Sequence, residues 1–167
     1  MSQEEEQREE RWHAEVVEDV EWGDVDRNQH VNNVALFRKF QEVRVLLTRT
    51  FREDLPANLI VVVVRVVMDY RHEVHYGSRV TYRGAFVKFS KSSFVVIFEA
   101  EQNGRVAVKG EAVMCVVGDG GKSVPLNSPL LSMAMLTLQQ RLATKETYQH
   151  TVSVSSLPPS TMHHSKL

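Results

Sequence analysis

Between Asp24 and Asn33 the chain reads DVDRNQHVNN, which puts two aspartates, a histidine and an Asn-Asn pair into ten residues. A strongly helical run follows at once. The first turn of a helix has N–H groups without intrahelical partners and about half a positive charge at that end. Such groups can polarise a carbonyl oxygen in the manner of an oxyanion hole. A carboxylate a few residues upstream, on Asp24 or Asp26, could then reach the carbonyl carbon or a water beside it. A carboxylate and a polarised carbonyl are the minimum for hydrolysing an ester or thioester. The same residue types also serve as turn formers and helix caps, so composition alone leaves both roles open.

The elements around this loop follow from periodicity. Trp12, Ala14, Val16 and Glu18 share one parity and predict a first strand that ends by Gly23. Trp22 fits either the core or a site lining. Asn32 or Asn33 is suited to cap a helix in which Leu36, Phe40, Val43 and Leu47 form one apolar face. That helix should end before Pro56. The run NLIVVVVRVVMDY, from Asn58 to Tyr70, reads as a strand buried on both faces. Arg79 to Phe89 alternates as a half-exposed strand, with Gly84 as a candidate bulge. Phe94 to Glu101 and Arg105 to Val117 flank Asn103-Gly104, a strong hairpin signal. Leu131, Met135, Leu138 and Leu142 recur at helical spacing and predict a C-terminal helix. One strand, a loop, one long helix and a meander of strands make an α+β domain whose sheet curls over the helix.

The chain has 167 residues, enough for one domain with a core. A net charge of −1 does not suggest a nucleic-acid binder. No apolar run approaches membrane-spanning length, and Cys115 alone allows no disulfide within the chain. The expected organisation is a flexible leader over 1–11, one domain over 12–145 and a flexible tail over 146–167. The tail closes on Ser165-Lys166-Leu167, a tripeptide that an import receptor reads as a peroxisomal address. The expected location is therefore the peroxisome or a related organelle such as a glycosome, or the cytoplasm if the tripeptide is not used.

The run W-G-D-x-D-x-x-x-H-V-N-N from Trp22 to Asn33, with the helix F-R-K-F-Q-E-V-R after it, resembles the hotdog-fold acyl-CoA thioesterases of the 4-hydroxybenzoyl-CoA thioesterase type. Met68-Asp69-Tyr70, Tyr76-Gly77-Ser78-Arg79-Val80, Ser92-Ser93-Phe94 and Asn103-Gly104-Arg105-Val106-Ala107 fit the same family, and the likeness spans residues 14–118. It implies a long central helix wrapped by an antiparallel sheet of about five strands. It implies Asp26 as the catalytic carboxylate, acting as nucleophile or as general base on water. The backbone N–H of Asn33 would polarise the thioester carbonyl, with that of Val34 in support. His30 would orient the loop or line the site, although a structural loop histidine is an equal alternative. Glu42 sits where another hotdog branch carries its base; on an exposed face it would simply pair with Arg38 or Lys39. The family commonly has glycine directly before the histidine, where this chain has Gln29.

The resemblance further implies an acyl-CoA substrate, no metal or organic cofactor, and a homodimer or homotetramer with the acyl pocket between subunits. Neither nucleic-acid binding nor membrane insertion is expected. Lys88, Lys91 and Arg105 are candidate partners for CoA phosphates. Two other functions fit the scaffold: a non-catalytic acyl-CoA binder, and an enoyl-CoA hydratase, whose D-x-N-P-x-H motif this chain lacks.

Overall fold

The computed structural model describes residues 12–144 and 148–152. The expectations for the leader and for Ser165-Lys166-Leu167 lie outside those residues. In chain order the elements are β1 (Ala14–Asp19), α1 (Asn33–Glu53), β2 (Ile60–Tyr70), β3 (Arg79–Phe89), β4 (Ser93–Gln102), β5 (Arg105–Val117), α2 (Ser132–Thr144) and β6 (Tyr148–Val152). The sheet order is β2-β5-β4-β3-β1-β6. All neighbouring pairs are antiparallel except β1 and β6, which run parallel. Tyr148–Val152 therefore forms a sixth strand where the sequence predicts flexible tail.

The hydrophobic periods place α1 on the sheet. Leu36, Phe40, Val43 and Leu47 are all buried, as their shared face requires. They pack with Val16, Tyr82, Phe98, Val108 and Met114 in one core, which α2 extends through Ala134 and Leu138. β1 keeps the predicted alternation, so Glu18 falls on the inward face with Ala14 and Val16. Lys39 of α1 meets it there, its Nζ lying 3.0 Å from both Oε1 and Oε2, with the hydrogen bond directed to Oε2. Burial raises the Glu18 pKa, and Lys39 only partly offsets that. The Asn103-Gly104 turn has φ of 52° and 74°, positive at both residues, which matches the twist of β4 and β5.

Two expectations are corrected. β2 is not buried on both faces. It is an edge strand, paired among the described residues with β5 alone, and Ile60, Val63, Val64, Val67 and Tyr70 are all exposed. The register shifts between Val63 and Arg65, making Val64 the bulged residue. The bulge lets Val63 and Val66 both face α1 while Arg65 and Val67 face outward.

Nor is Gly84 a bulge. The irregularity in β3 falls between Phe86 and Lys88. Gly84 is instead the point of closest approach between α1 and the sheet. A Cβ there would lie 2.6 Å from Val43 Cγ1 and 2.8 Å from Leu47 Cδ1. Both neighbours are buried, so their side chains or α1 itself would have to shift within a packed core. Gly84→Ala should lower stability by about 1–3 kcal/mol through overpacking. A urea-unfolding midpoint equal to that of the wild type would show that the helix has room to spare.

Candidate active site

The loop from Val25 to Val31 is a short, closed turn. Val25 and Val31 form an antiparallel bridge. Inside it the Asp26 N–H donates to the His30 carbonyl at 2.9 Å, and the Gln29 N–H donates to the Asp26 carbonyl at 3.0 Å. The Asn28 N–H donates to Asp26 Oδ1 at 2.7 Å, an Asx turn that fixes the carboxylate's rotamer. Gln29 takes φ of 66°, the left-handed region that glycine enters most cheaply. The turn that a glycine would serve is thus made by a glutamine, at a strain on the order of 1 kcal/mol.

This turn is fastened on two sides. Asp24 holds α1: its carbonyl accepts from the Asn32 N–H at 2.8 Å, and its Oδ1 accepts from Arg38 Nη2 at 2.8 Å. The segment after β2 holds the other side. The Val31 N–H donates to the Val74 carbonyl at 2.7 Å, and His75 Nδ1 lies 3.3 Å from the Gln29 carbonyl. That segment is itself pinned by Gln102. Its Nε2 donates to the His75 carbonyl at 2.7 Å, and its Oε1 accepts from the His75 N–H at 2.9 Å.

A cavity of about 390 Å³ opens where these pieces meet, and Asp26, His30, Asn33, Leu36 and Tyr70 line it. Asp26 Oδ2 accepts no hydrogen bond among the described residues. His30 Nδ1 stands 3.8 Å from it, near enough to feel its charge but too far for a hydrogen bond. Asn32 is the helix cap, its Oδ1 accepting from the Val34 N–H at 2.8 Å. That contact changes the expected share of the two amides. The Val34 N–H is already engaged, so the Asn33 N–H is the one without an acceptor among the described residues. The arrangement therefore puts on a common cavity Asp26, with one oxygen that accepts no hydrogen bond among the described residues, and Asn33, whose N–H stands at the start of α1.

The other residues singled out in the sequence lie elsewhere. Asp24 faces Arg38 and serves the loop. Trp22 is 74% exposed and meets Tyr76 edge-on at 5.4 Å, beside a separate groove. Glu42 lies nine residues, or two and a half turns, beyond Asn33 and so on the opposite face of α1. Its nearest cation is Lys39 Nζ at 3.8 Å. Lys88, Lys91 and Arg105 are exposed and do not line the cavity. The basic residues that do are Arg71 and His72.

Among the lining residues missed in the sequence are Tyr70, Arg71, His72 and the acid Glu73 beside them. Tyr70 Oη stands 3.4 Å from the Asn33 carbonyl, and partial burial raises its pKa. The signal for them was the Asp69-Tyr70 pair itself, which marked where β2 returns to the helix start. Among the described residues no group of three or more His, Cys, Asp or Glu is arranged to hold a metal. No helix among them is long and apolar enough to cross a membrane.

Comparison with known proteins bears on this geometry. The profile of the Thioesterase-like superfamily matches residues 20–154. Among solved structures, a predicted thioesterase from Bacillus stearothermophilus is 24% identical with a TM-score of 0.65, over 81% of this chain and 97% of that one. A thioesterase from Thermus thermophilus, solved with coenzyme A and Zn, is 24% identical with a TM-score of 0.64, over 81% and 95%. The YbaW probable thioesterase from Escherichia coli is 16% identical with a TM-score of 0.65, over 78% and 98%. No curated protein matches. The match over most of the chain, on a sheet wrapped around one long helix, places this protein in the thioesterase-like superfamily, as a thioester hydrolase of the hotdog fold.

Proposed function

We propose that the protein hydrolyses an acyl-CoA thioester to the free acid and CoA, with Asp26 as the catalytic carboxylate. The observation that carries this is the pairing on one cavity of Asp26 Oδ2 with the Asn33 N–H at the start of α1. The thioester carbonyl oxygen would accept from that N–H, gaining the helix-terminal charge as its own negative charge develops. Asp26 then either attacks the carbonyl carbon, giving a mixed anhydride that water opens, or draws a proton from an attacking water. Thiolate leaves in both cases. Arg71 and His72 put positive or hydrogen-bonding groups at the cavity rim, on the side suited to the CoA phosphates. A relative of the same fold solved with coenzyme A supports the choice of thioester.

The edge strand supports a homodimer. β2 presents an unpaired row of backbone groups flanked by exposed valines, and Val34, Phe37 and Val45 extend the apolar surface along α1. An exposed, apolar edge of this length invites a further strand. An antiparallel edge can pair with its own copy about a two-fold axis, burying both rows at once. Delivery to peroxisomes through Ser165-Lys166-Leu167 is part of the same proposal.

Release of CoA thiol should be measured across a panel of acyl-CoAs. Asp26→Asn should lose at least ~100-fold in kcat/KM on whichever acyl class the wild type turns over. Hydrolysis that survives the change removes Asp26 from the chemistry. Tight acyl-CoA binding with no thiol release would favour a non-catalytic binder, and water addition to an enoyl-CoA would favour a hydratase. By sedimentation equilibrium the wild type should be a dimer and Val64→Lys a monomer, since a charge on an edge blocks strand pairing; a monomeric wild type would refute the interface. Deleting Ser165-Lys166-Leu167 should move a fluorescent fusion from peroxisomes to the cytosol, and unchanged puncta would argue against that signal.

A further inference from the structure

A second cavity, of about 240 Å³, lies further along the seam between α1 and β2 and shares no lining residue with the site cavity. The order of residues places the two end to end. As α1 runs from Asn33 through Leu36 to Phe37, Phe40 and Arg44, β2 runs the opposite way, from Tyr70 through Met68 and Val66 to Val63. The first cavity takes the beginning of both series and the second takes the end. The walls of the second are apolar, from Phe37, Phe40, Val66, Met68 and Phe98. Its two polar members are Gln41 and Arg44, one helical turn apart.

Arg44 is the anomaly. It is half-buried against those apolar walls, and no carboxylate among the described residues pairs with it. Burial works against its charge first, and the nearby Arg52 adds to that. The acids of α1 are turned elsewhere, Glu42 to Lys39 and Glu53 to Arg49. A guanidinium held in an apolar setting without a counter-charge is costly, and an anion in bidentate geometry is the partner it fits best. CoA phosphates belong at the wet rim beside Arg71 and His72, not at the far end of an apolar channel.

We infer that the preferred acyl group is a dicarboxylic one, whose far carboxylate is received by Arg44. Spacing sets its length. Arg44 lies eleven residues beyond Asn33, about 16 Å along the helix axis. Its side chain leans back toward the helix start, which leaves on the order of 10 Å between the polarised carbonyl and the guanidinium. An extended aliphatic chain advances roughly 1.3 Å per carbon–carbon bond and the carboxylate–guanidinium contact takes up roughly 3–4 Å, so about five to seven bonds between the two carboxyl carbons fill the gap. Adipyl-CoA, with about five such bonds, and suberyl-CoA, with about seven, bracket the match, and sebacyl-CoA is long. The apolar walls take the methylenes, and the charged end distinguishes this ligand from a fatty acyl group of equal length.

The inference rests on acyl-CoA being seated with its carbonyl at Asn33, and its test does not need turnover. Binding of suberyl-CoA and octanoyl-CoA is measured by calorimetry on the Asp26→Asn protein, with and without Arg44→Met. Suberyl-CoA should bind at least ~10-fold more tightly, and Arg44→Met should bring the ratio to one or below. Arg44→Lys, which keeps the charge but not the fork, should retain part of the preference and controls for folding. Equal binding of the two ligands, or a ratio unmoved by Arg44→Met, overturns the inference. So does an Arg44→Met protein that loses its dimer while keeping the ratio, because Arg44 would then belong to the subunit interface. Absence of thiol release from every CoA ester, with the binding preference intact, counts against the hydrolase reading and in favour of this one.

Discussion

The close seating of α1 on the sheet is the constraint on which the site depends. Gly84 has no side chain to hold the helix off, so Val43 and Leu47 descend onto β3 within a distance that any Cβ would forbid. That contact sets the height of α1, and Phe40 then meets Tyr82 edge-on and Phe98 at a tilt in the layer below. Everything functional hangs from the first turn of the same helix. A helix lifted at its middle would strain the Asn33 N–H against a carboxylate loop that is tied both to α1 and to the segment after β2. Catalysis is sensitive to displacements of about 1 Å, so packing more than two turns away is part of the site's geometry.

The carboxylate side is fixed by independent ties. Asp24 holds the loop to α1 by backbone and side chain, Val31 holds it to Val74, and His75 holds it at Gln29. Gln102 is buried at the end of β4 and uses both ends of its amide to place the segment that carries His75. Polar groups buried and fully engaged in this way specify one arrangement, because any shift leaves a donor or acceptor unmet. It follows that Asp24 and Gln102 position the loop without facing the cavity. Asp26 itself carries little of this burden: one oxygen is held by the Asx turn, which leaves the other without a hydrogen bond among the described residues.

Much of this was legible in the sequence because it follows local rules. The face of Leu36, Phe40, Val43 and Leu47, the cap at Asn32 and the turn at Asn103-Gly104 depend on residues close in the chain. What was not legible depends on what lies opposite. A run of valines states that a strand is apolar on both sides, but not whether its own chain or another one covers it, so β2 reads as buried on both faces and stands at an edge. Gly84 signals that a side chain is unwelcome, but a bulge and a close helix both answer that description. Glu42 is a different case, since its half-turn offset from Asn33 is simple helical arithmetic. Tyr70, Arg71 and His72 reach the cavity only because β2 returns antiparallel to α1, which is a fact of topology.

Two features of the molecule are unfavourable in an isolated chain, and they lie on one seam. β2 leaves valines exposed at an edge, and Arg44 is drawn into an apolar setting without a counter-charge among the described residues. Departures from good packing persist where something else compensates them. The seam between α1 and β2 also leads directly from Asp26 and Asn33, so the compensation acts where the chemistry acts. A second copy along β2 would close the outer wall of the channel, and a bound carboxylate would neutralise its inner end. On this view the apolar edge and the unpaired guanidinium are not separate weaknesses. In the proposed dimer they would be the two open sides of a binding site that subunit and substrate complete between them, which would couple acyl recognition to assembly.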